Sequence, residues 1–205
     1  MNRMPVAERR EQLIAAALTV ASRDGIEAAT VRAVAAQAGV SLGVVHYCFR
    51  DKSELMGAVA QAITAQNALN GLAEVPEGAD LQEIVEAVIE GLWHGIRASR
   101  GVQLLSYELT TSSLRSADLS GVAAQQYEGS WAAADRVLAK IETMAAVRWA
   151  IPRDRIARTV VAVLDGFSLA WLVDGDDDLL LQGMQGFGKY LLTMAQPASA
   201  ADAVA

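Results

Sequence analysis

The chain has 205 residues, just over half of them hydrophobic, a formal net charge of -7 and one cysteine. That length can bury a substantial core, and a single cysteine excludes an internal disulfide framework and fits a reducing compartment. No uninterrupted apolar run nears the ~18–20 residues a bilayer span needs, and no signal-type apolar stretch follows the arginines of the first ten residues.

The expected location is therefore the cytoplasm, with no membrane partner. Charge is unevenly placed: seven Lys/Arg stand against six Asp/Glu up to Met56, and ten against eighteen beyond it. The slightly basic N-terminal part admits nucleic acid, which the total charge taken alone would discourage.

In chain order the pattern is helical almost throughout, and alternating strand-like runs are scarce. A first helix is expected over 7–23, with Leu13, Ile14, Ala17, Leu18 and Ala21 on one stripe. Asp24-Gly25 ends it, since glycine accepts the left-handed backbone of a helix C-terminus. Thr30 is an N-cap for a short second helix, in which Val31, Val34, Ala35 and Ala38 share a face, and Gly39 stops it. Ser41 begins a third short helix, with Val45 and Phe49 one turn apart and turned inward. A fourth starts at Asp51 or Ser53 on a spine of Leu55, Val59 and Ile63 and ends near Asn70-Gly71. Pro76, Glu77 and Gly78 read as a linker. Further helices are expected over 81–98, 102–114, 119–145, 155–173 and 179–194, and the Ala/Ser-rich tail from Pro197 reads as disordered.

Two short helices joined through a glycine, each opened by a hydroxyl residue, form a helix-turn-helix arrangement. Val40, Val45 and Phe49 anchor the second helix, which leaves Leu42, Gly43, Val44, His46 and Tyr47 on or near the outward side. Gly43 permits close approach to a groove, and free N–H groups at the starts of the helices opened by Thr30, Ser41 and Lys52 can receive phosphates.

The stretch RDGIEAATVRAVAAQAGVSLGVVHYCFRDKSEL, within a match running over about 9–56, resembles the DNA-binding domain of the tetracycline-repressor (TetR) family. The resemblance implies an all-α fold. An N-terminal three-helix helix-turn-helix DNA-binding domain would occupy 1–56, and a helical ligand-binding and dimerisation domain 57–196, before the tail at 197–205. It also implies that Thr30, Arg32 and Lys52 hold phosphates, that Ser41, Leu42, Gly43 and Val44 face base edges, and that His46 and Tyr47 meet backbone or bases. Leu42 departs from the proline common there, Val44 from a small residue, His46 from tyrosine and Cys48 from histidine. Apolar Leu42 and Val44 suit thymine methyl groups.

Beyond the head the chain resembles the family in architecture, with detail similar to the branch of choline/betaine-type repressors. The last two helices would then pack against their copies in a C2 homodimer, through Val160, Val163, Leu164, Phe167, Trp171, Leu180, Met184, Phe187 and Leu191. Partners are double-stranded DNA with a near-palindromic operator, a second copy of the chain, and a small-molecule effector. For the effector, Trp93, Tyr107, Trp131 and Met144 could enclose an apolar pocket, with Glu108 or Asp135 supplying polar contact, although aromatics at helical spacing are more often core.

Other motifs read as ordinary structure. Cys48 is packing rather than a redox thiol. Glu86, Glu90 and His94 share a solvent face opposite Ile84, Val85, Val88, Ile89, Leu92 and Trp93, rather than a metal site. The acidic run from Asp174 lacks the twelfth-position acid of a calcium loop, and Gly186-Phe-Gly-Lys follows no strand. No cofactor is expected, and no nucleophile–base pairing points to an enzyme. A repressor released by an effector is the leading reading. An activator or a regulator without a small effector is the alternative, and an all-helical enzyme a remote one.

Overall fold

A computed structural model describes residues 4–70, 75–76 and 78–198. Nine α-helices account for most of them: α1 Val6–Asp24, α2 Val31–Gln37, α3 Leu42–Cys48, α4 Lys52–Asn70, α5 Leu81–Ala98, α6 Arg100–Ser113, α7 Val122–Ala145, α8 Arg153–Asp174 and α9 Asp177–Leu192. The all-α expectation holds, and helix starts and stops follow local chemistry. Gly25 closes α1 at φ +85° and Gly39 follows α2 at φ +65°, a backbone region that side chains with a Cβ resist. The Thr30 hydroxyl accepts from Ala33 N–H at 3.1 Å to cap α2. Asp80 and Glu83 accept reciprocally from each other's backbone N–H, both at 2.9 Å, and so box the start of α5.

The chain forms two compact units: Met1–Thr64 with Ser99–Gly129, and Ala65–Ala98 with Ser130–Ala205. In the first, α1 packs on α2 and α6, and α2 on α3. Leu13, Ala17, Val34, Leu55, Met56, Val59, Leu105 and Leu109 are essentially sealed from solvent in its core. In the second, α9 packs on α5 and α8, around Ile84, Ile156, Leu180 and Met184. Gly188 lets α9 close on α5, where an added Cβ would lie 2.3 Å from Ile89 Cδ1.

The structure departs from the expected pattern in three places. The helix expected over 119–145 is split: a 3-10 turn at Ala117–Leu119 gives way to α7 only after Gly121, at φ +88°. Val147–Trp149 and Ala195–Pro197 pair as a short antiparallel clip, Arg148 opposite Gln196. Pro197 therefore belongs to a strand rather than to a disordered tail, since the partner strand satisfies backbone groups that no helix there could. The remainder of the tail expected to be disordered, beyond Ala198, lies outside the described residues, as does Glu77 of the expected linker. Finally, α8 is long and apolar enough to cross a bilayer by length and composition, although its sequence is interrupted by Asp165. About a third of its apolar stretch is buried within the chain.

Candidate nucleic-acid interface

α3 has seven residues and two buried side chains, Val45 and Cys48. Phe49 follows as the C-cap in extended backbone, so it is not part of the helix, yet its ring is buried like an anchor. With the inner side so occupied, Ser41, Leu42, Gly43, His46 and Tyr47 are exposed and Val44 is half-buried. Tyr47 leaves 69% of its surface in solvent and Leu42 39%. A Cβ at Gly43 would meet only the Ser41 hydroxyl, at 3.9 Å, so the helix surface is open there. Ser41 sits at the N-cap but its side chain makes no capping bond, which leaves that hydroxyl free of an intrahelical task. Thr30 and Arg32 are exposed on α2.

Lys52 is half-buried, and its ammonium donates to the Ile26 carbonyl at 3.1 Å. An ammonium carries three donors, so this bond orients the lysine without exhausting it.

Several side chains outside the expected DNA-contact set hold the head together. Arg10 on α1 lies 4.1 Å from the centre of the Phe49 ring, donates to the Cys48 carbonyl and pairs with Glu54 at 3.0 Å. It thus fastens the end of α3 to α1 by charge and ring contact at once. Gln12 donates to the Ala38 carbonyl at 3.0 Å and secures the end of α2. Glu54 accepts from the Arg50 N–H at 3.0 Å while Asp51 caps Glu54 N–H at 2.8 Å. The Arg50 N–H, with Arg10 and the Arg50 guanidinium, holds the Glu54 carboxyl down at about 2. The Asp51-x-x-Glu54 spacing is a capping signature legible in sequence. Arg10 and Gln12 lie 26 to 44 residues from their partners, a separation no local pattern reports.

The effector candidates fall in both units. Tyr107 and Glu108 belong to the first, where Glu108 Oε2 accepts from the Ile26 N–H at 3.1 Å. Trp93, Trp131, Asp135 and Met144 belong to the second. Trp93 is buried edge-to-face on Trp171, ring centroids 5.6 Å apart. The half-buried ring of Trp131 carries the Arg158 guanidinium 3.7 Å from its centre, and Asp135 accepts from Arg153 at 3.2 Å. Met144 is half-buried. None of these residues lines the open cleft of about 690 Å³ beside the strand clip, bordered by Glu142, Arg148, Trp149, Ile151 and Arg153 among others.

Of the residues expected on a dimer face, Trp171, Leu180, Met184 and Leu191 are buried within the second unit itself, whereas Val160, Val163, Leu164, Phe167 and Phe187 are half-buried. The exposed large apolar side chains of α8 and α9 are Leu169, Val173, Leu179 and Tyr190. The acidic run has structural work: Asp176 caps α9 at Leu179 N–H, and Asp177 accepts from the Trp171 indole, both within 3 Å. Glu86, Glu90 and His94 are exposed.

Comparison with known proteins agrees with this geometry. The family model described as bacterial regulatory proteins, tetR family, matches residues 13–59. The nicotine-responsive transcriptional repressor HdnoR of Paenarthrobacter nicotinovorans is 32% identical over 181 residues, 85% of this chain and 89% of that one. The transcriptional regulator BetI of Escherichia coli K12 is 29% identical over 170 residues, 82% of this chain and 79% of that one.

Among solved structures, the multidrug binding protein EbrR, complexed with imidazole, is 29% identical at a TM-score of 0.65, covering 94% of this chain and 93% of that chain. A regulator from Rhodococcus sp. has a TM-score of 0.76 over 90% of this chain and 98% of its own, at 20% identity, which is a likeness of fold. An exposed recognition helix braced by α1 and α2, and identity extending far beyond that head, lead to one conclusion: the chain belongs to the TetR family of helix-turn-helix, DNA-binding transcriptional regulators.

Proposed function

We propose that the chain is a homodimeric repressor whose two α3 helices read a near-palindromic operator, and that a small effector releases it. The observation carrying this reading is the division of α3 into a sealed side and an open side, with Leu42, Gly43, His46 and Tyr47 all exposed on a helix too short to have another use for them. Residues 1–56 form the reading domain and 57–196 the ligand and dimer domain. Thr30, Arg32 and Lys52 take phosphates; Ser41, Leu42, Gly43 and Val44 face base edges, the two apolar ones suited to thymine methyls; His46 and Tyr47 contact bases or backbone.

One short helix reaches only a few base pairs, so two heads must meet half-sites about 34 Å apart. The apolar side chains that α8 and α9 leave uncovered support a symmetric pairing. Val173 is 83% exposed and Leu179 60%, and Val160, Val163, Leu164, Phe167 and Phe187 on the same two helices are half-buried. A site in the cytoplasm follows from contact with the genome.

Likeness to a nicotine-responsive repressor and to a multidrug binding protein supports a small effector. Its proposed contacts lie in the second unit, at Trp93, Trp131, Asp135 and Met144; Tyr107 and Glu108 belong to the first unit, where Glu108 is bonded to Ile26. Effector and operator must weaken each other's binding by the same factor, because each prefers a different conformation.

Selection of bound sequences from a random DNA pool, with the purified full chain at near-physiological salt, tests the reading. A two-half-site near-palindrome is expected, bound with an affinity that falls steeply as salt rises. A folded chain that enriches no sequence overturns it.

A further inference from the structure

In the first unit α6 meets the end of α1 at two points. At its start, Gly101 comes so near that an added Cβ would lie 2.4 Å from the Ser22 carbonyl oxygen. Two turns on, the Glu108 carboxylate accepts from the Ile26 N–H. Ile26 is buried, follows Gly25 in its left-handed backbone, and leads within four residues to Thr30, the cap of α2. Its carbonyl receives the Lys52 ammonium and a longer bond, 3.3 Å, from the Ala29 N–H. Both backbone groups of Ile26 are thus gripped by side chains from elsewhere in the unit, at the bend that aims α2.

The choice of an acid here runs against simple electrostatics. It places negative charge beside the carbonyl end of α1, where the helix dipole disfavours it, and in a unit that must approach phosphates. The geometry accounts for it: a carboxyl at the end of two methylenes reaches the amide, and a charged acceptor makes a stronger bond than a neutral one.

Resting on the DNA-reading function proposed above, we propose that Glu108 is a positioning residue for operator binding. By holding the Ile26 amide it fixes the α1–α2 bend to α6. That sets the attitude of α2, on which α3 packs. It touches neither base nor phosphate in this role.

Two variants of the full chain separate reach from charge. Glu108→Gln keeps an acceptor oxygen at the same distance and removes the charge; Glu108→Asp keeps the charge and withdraws it by one methylene. Affinities for the selected operator and for random-sequence DNA are measured side by side, with exchange of the Ile26 amide followed by NMR in the absence of DNA.

Positioning predicts that Glu108→Asp loses about tenfold or more in operator affinity, the order expected for one hydrogen bond to a charged group. Its random-sequence binding holds and its Ile26 amide exchanges faster. Glu108→Gln, which keeps the reach but only a neutral acceptor, loses clearly less on operator than Glu108→Asp. Operator affinity of Glu108→Asp within about twofold of the parent overturns the proposal, as does an equal loss in both variants. If the parent chain itself selects no operator, the DNA-reading function fails instead. The Ile26 amide then still decides whether Glu108 holds the bend: unchanged exchange in Glu108→Asp overturns it.

Discussion

On α3 the side chains with a functional reading lie outside: Leu42, His46 and Tyr47 are in solvent while Val45 and Cys48 are buried behind them. On α8 and α9 the residues expected on a dimer face divide: Trp171, Leu180, Met184 and Leu191 are buried against neighbouring helices, while Val160, Val163, Leu164, Phe167 and Phe187 are half-buried. The difference follows from helix length and packing. A two-turn helix needs few anchors and keeps the rest of its circumference free. Helices of 22 and 16 residues must bury a continuous apolar stripe to offset the entropy of ordering them, so part of the apolar surface of each goes to the core, and Leu169, Val173, Leu179 and Tyr190 are left exposed.

That contrast can be broken at the core, at the brace or at the open face. Leu55 is fully buried in the first unit, and Leu55→Ala is expected to cost about 2–5 kcal/mol, read as a fall in the denaturation midpoint with loss of DNA binding. A change below about 1 kcal/mol would show that the head does not depend on that core. Gly101→Ala is expected to cost about 1–3 kcal/mol, because the new methyl meets the Ser22 backbone rather than a side chain able to move aside; thermal melts that superpose on the parent would refute the close crossing of α1 and α6.

At the open face the expectation reverses. His46→Ala and Tyr47→Ala should each weaken or redirect operator binding by about 1–3 kcal/mol, yet change stability by less than about 0.5 kcal/mol. Equal binding of the selected operator by both variants would remove α3 from the contact.

The smallest effect concerns Glu54. Its carboxyl sits at about 2 in the folded chain, below the 4.5 of the free group. Its stabilising contribution is therefore complete above the ordinary carboxylate range and is lost as pH falls from there toward 2. Glu54→Gln lacks this component, so its melting temperature should fall less than the parent's between pH 5 and pH 3. Parallel falls would show that the clasp of Arg50 and Arg10 on Glu54 contributes nothing.

Helix content and most helix ends were legible from short-range chemistry. Gly25, Thr30 and Gly39 terminate or cap as their residue types dictate, and α5 occupies the very span its apolar period marks. The outward side of α3 was legible in part for the same reason: with Val45 taken as anchor, 100° per residue turns His46 and Tyr47 away from it, whereas Leu42, three residues before Val45, falls on the anchor side by that period and is exposed only in the folded structure. The clip of Val147–Trp149 with Ala195–Pro197 had no such signal, since three-residue strands almost 50 residues apart have no period to detect.

The residues along the chain make only local commitments: which segments are helical, where they stop, and much of which side of a two-turn helix stays open. Each depends on residues within about one turn of one another. Tertiary structure decided which polar groups hold those pieces in place. Glu108 read as a candidate for ligand and is bound to the Ile26 amide 82 residues away. Lys52 read as a phosphate contact and also grips the Ile26 carbonyl. Arg10 read as nothing in particular and fastens the end of α3. A hydrogen bond forms wherever the folded backbone brings donor to acceptor, and that meeting leaves no period or spacing along the chain.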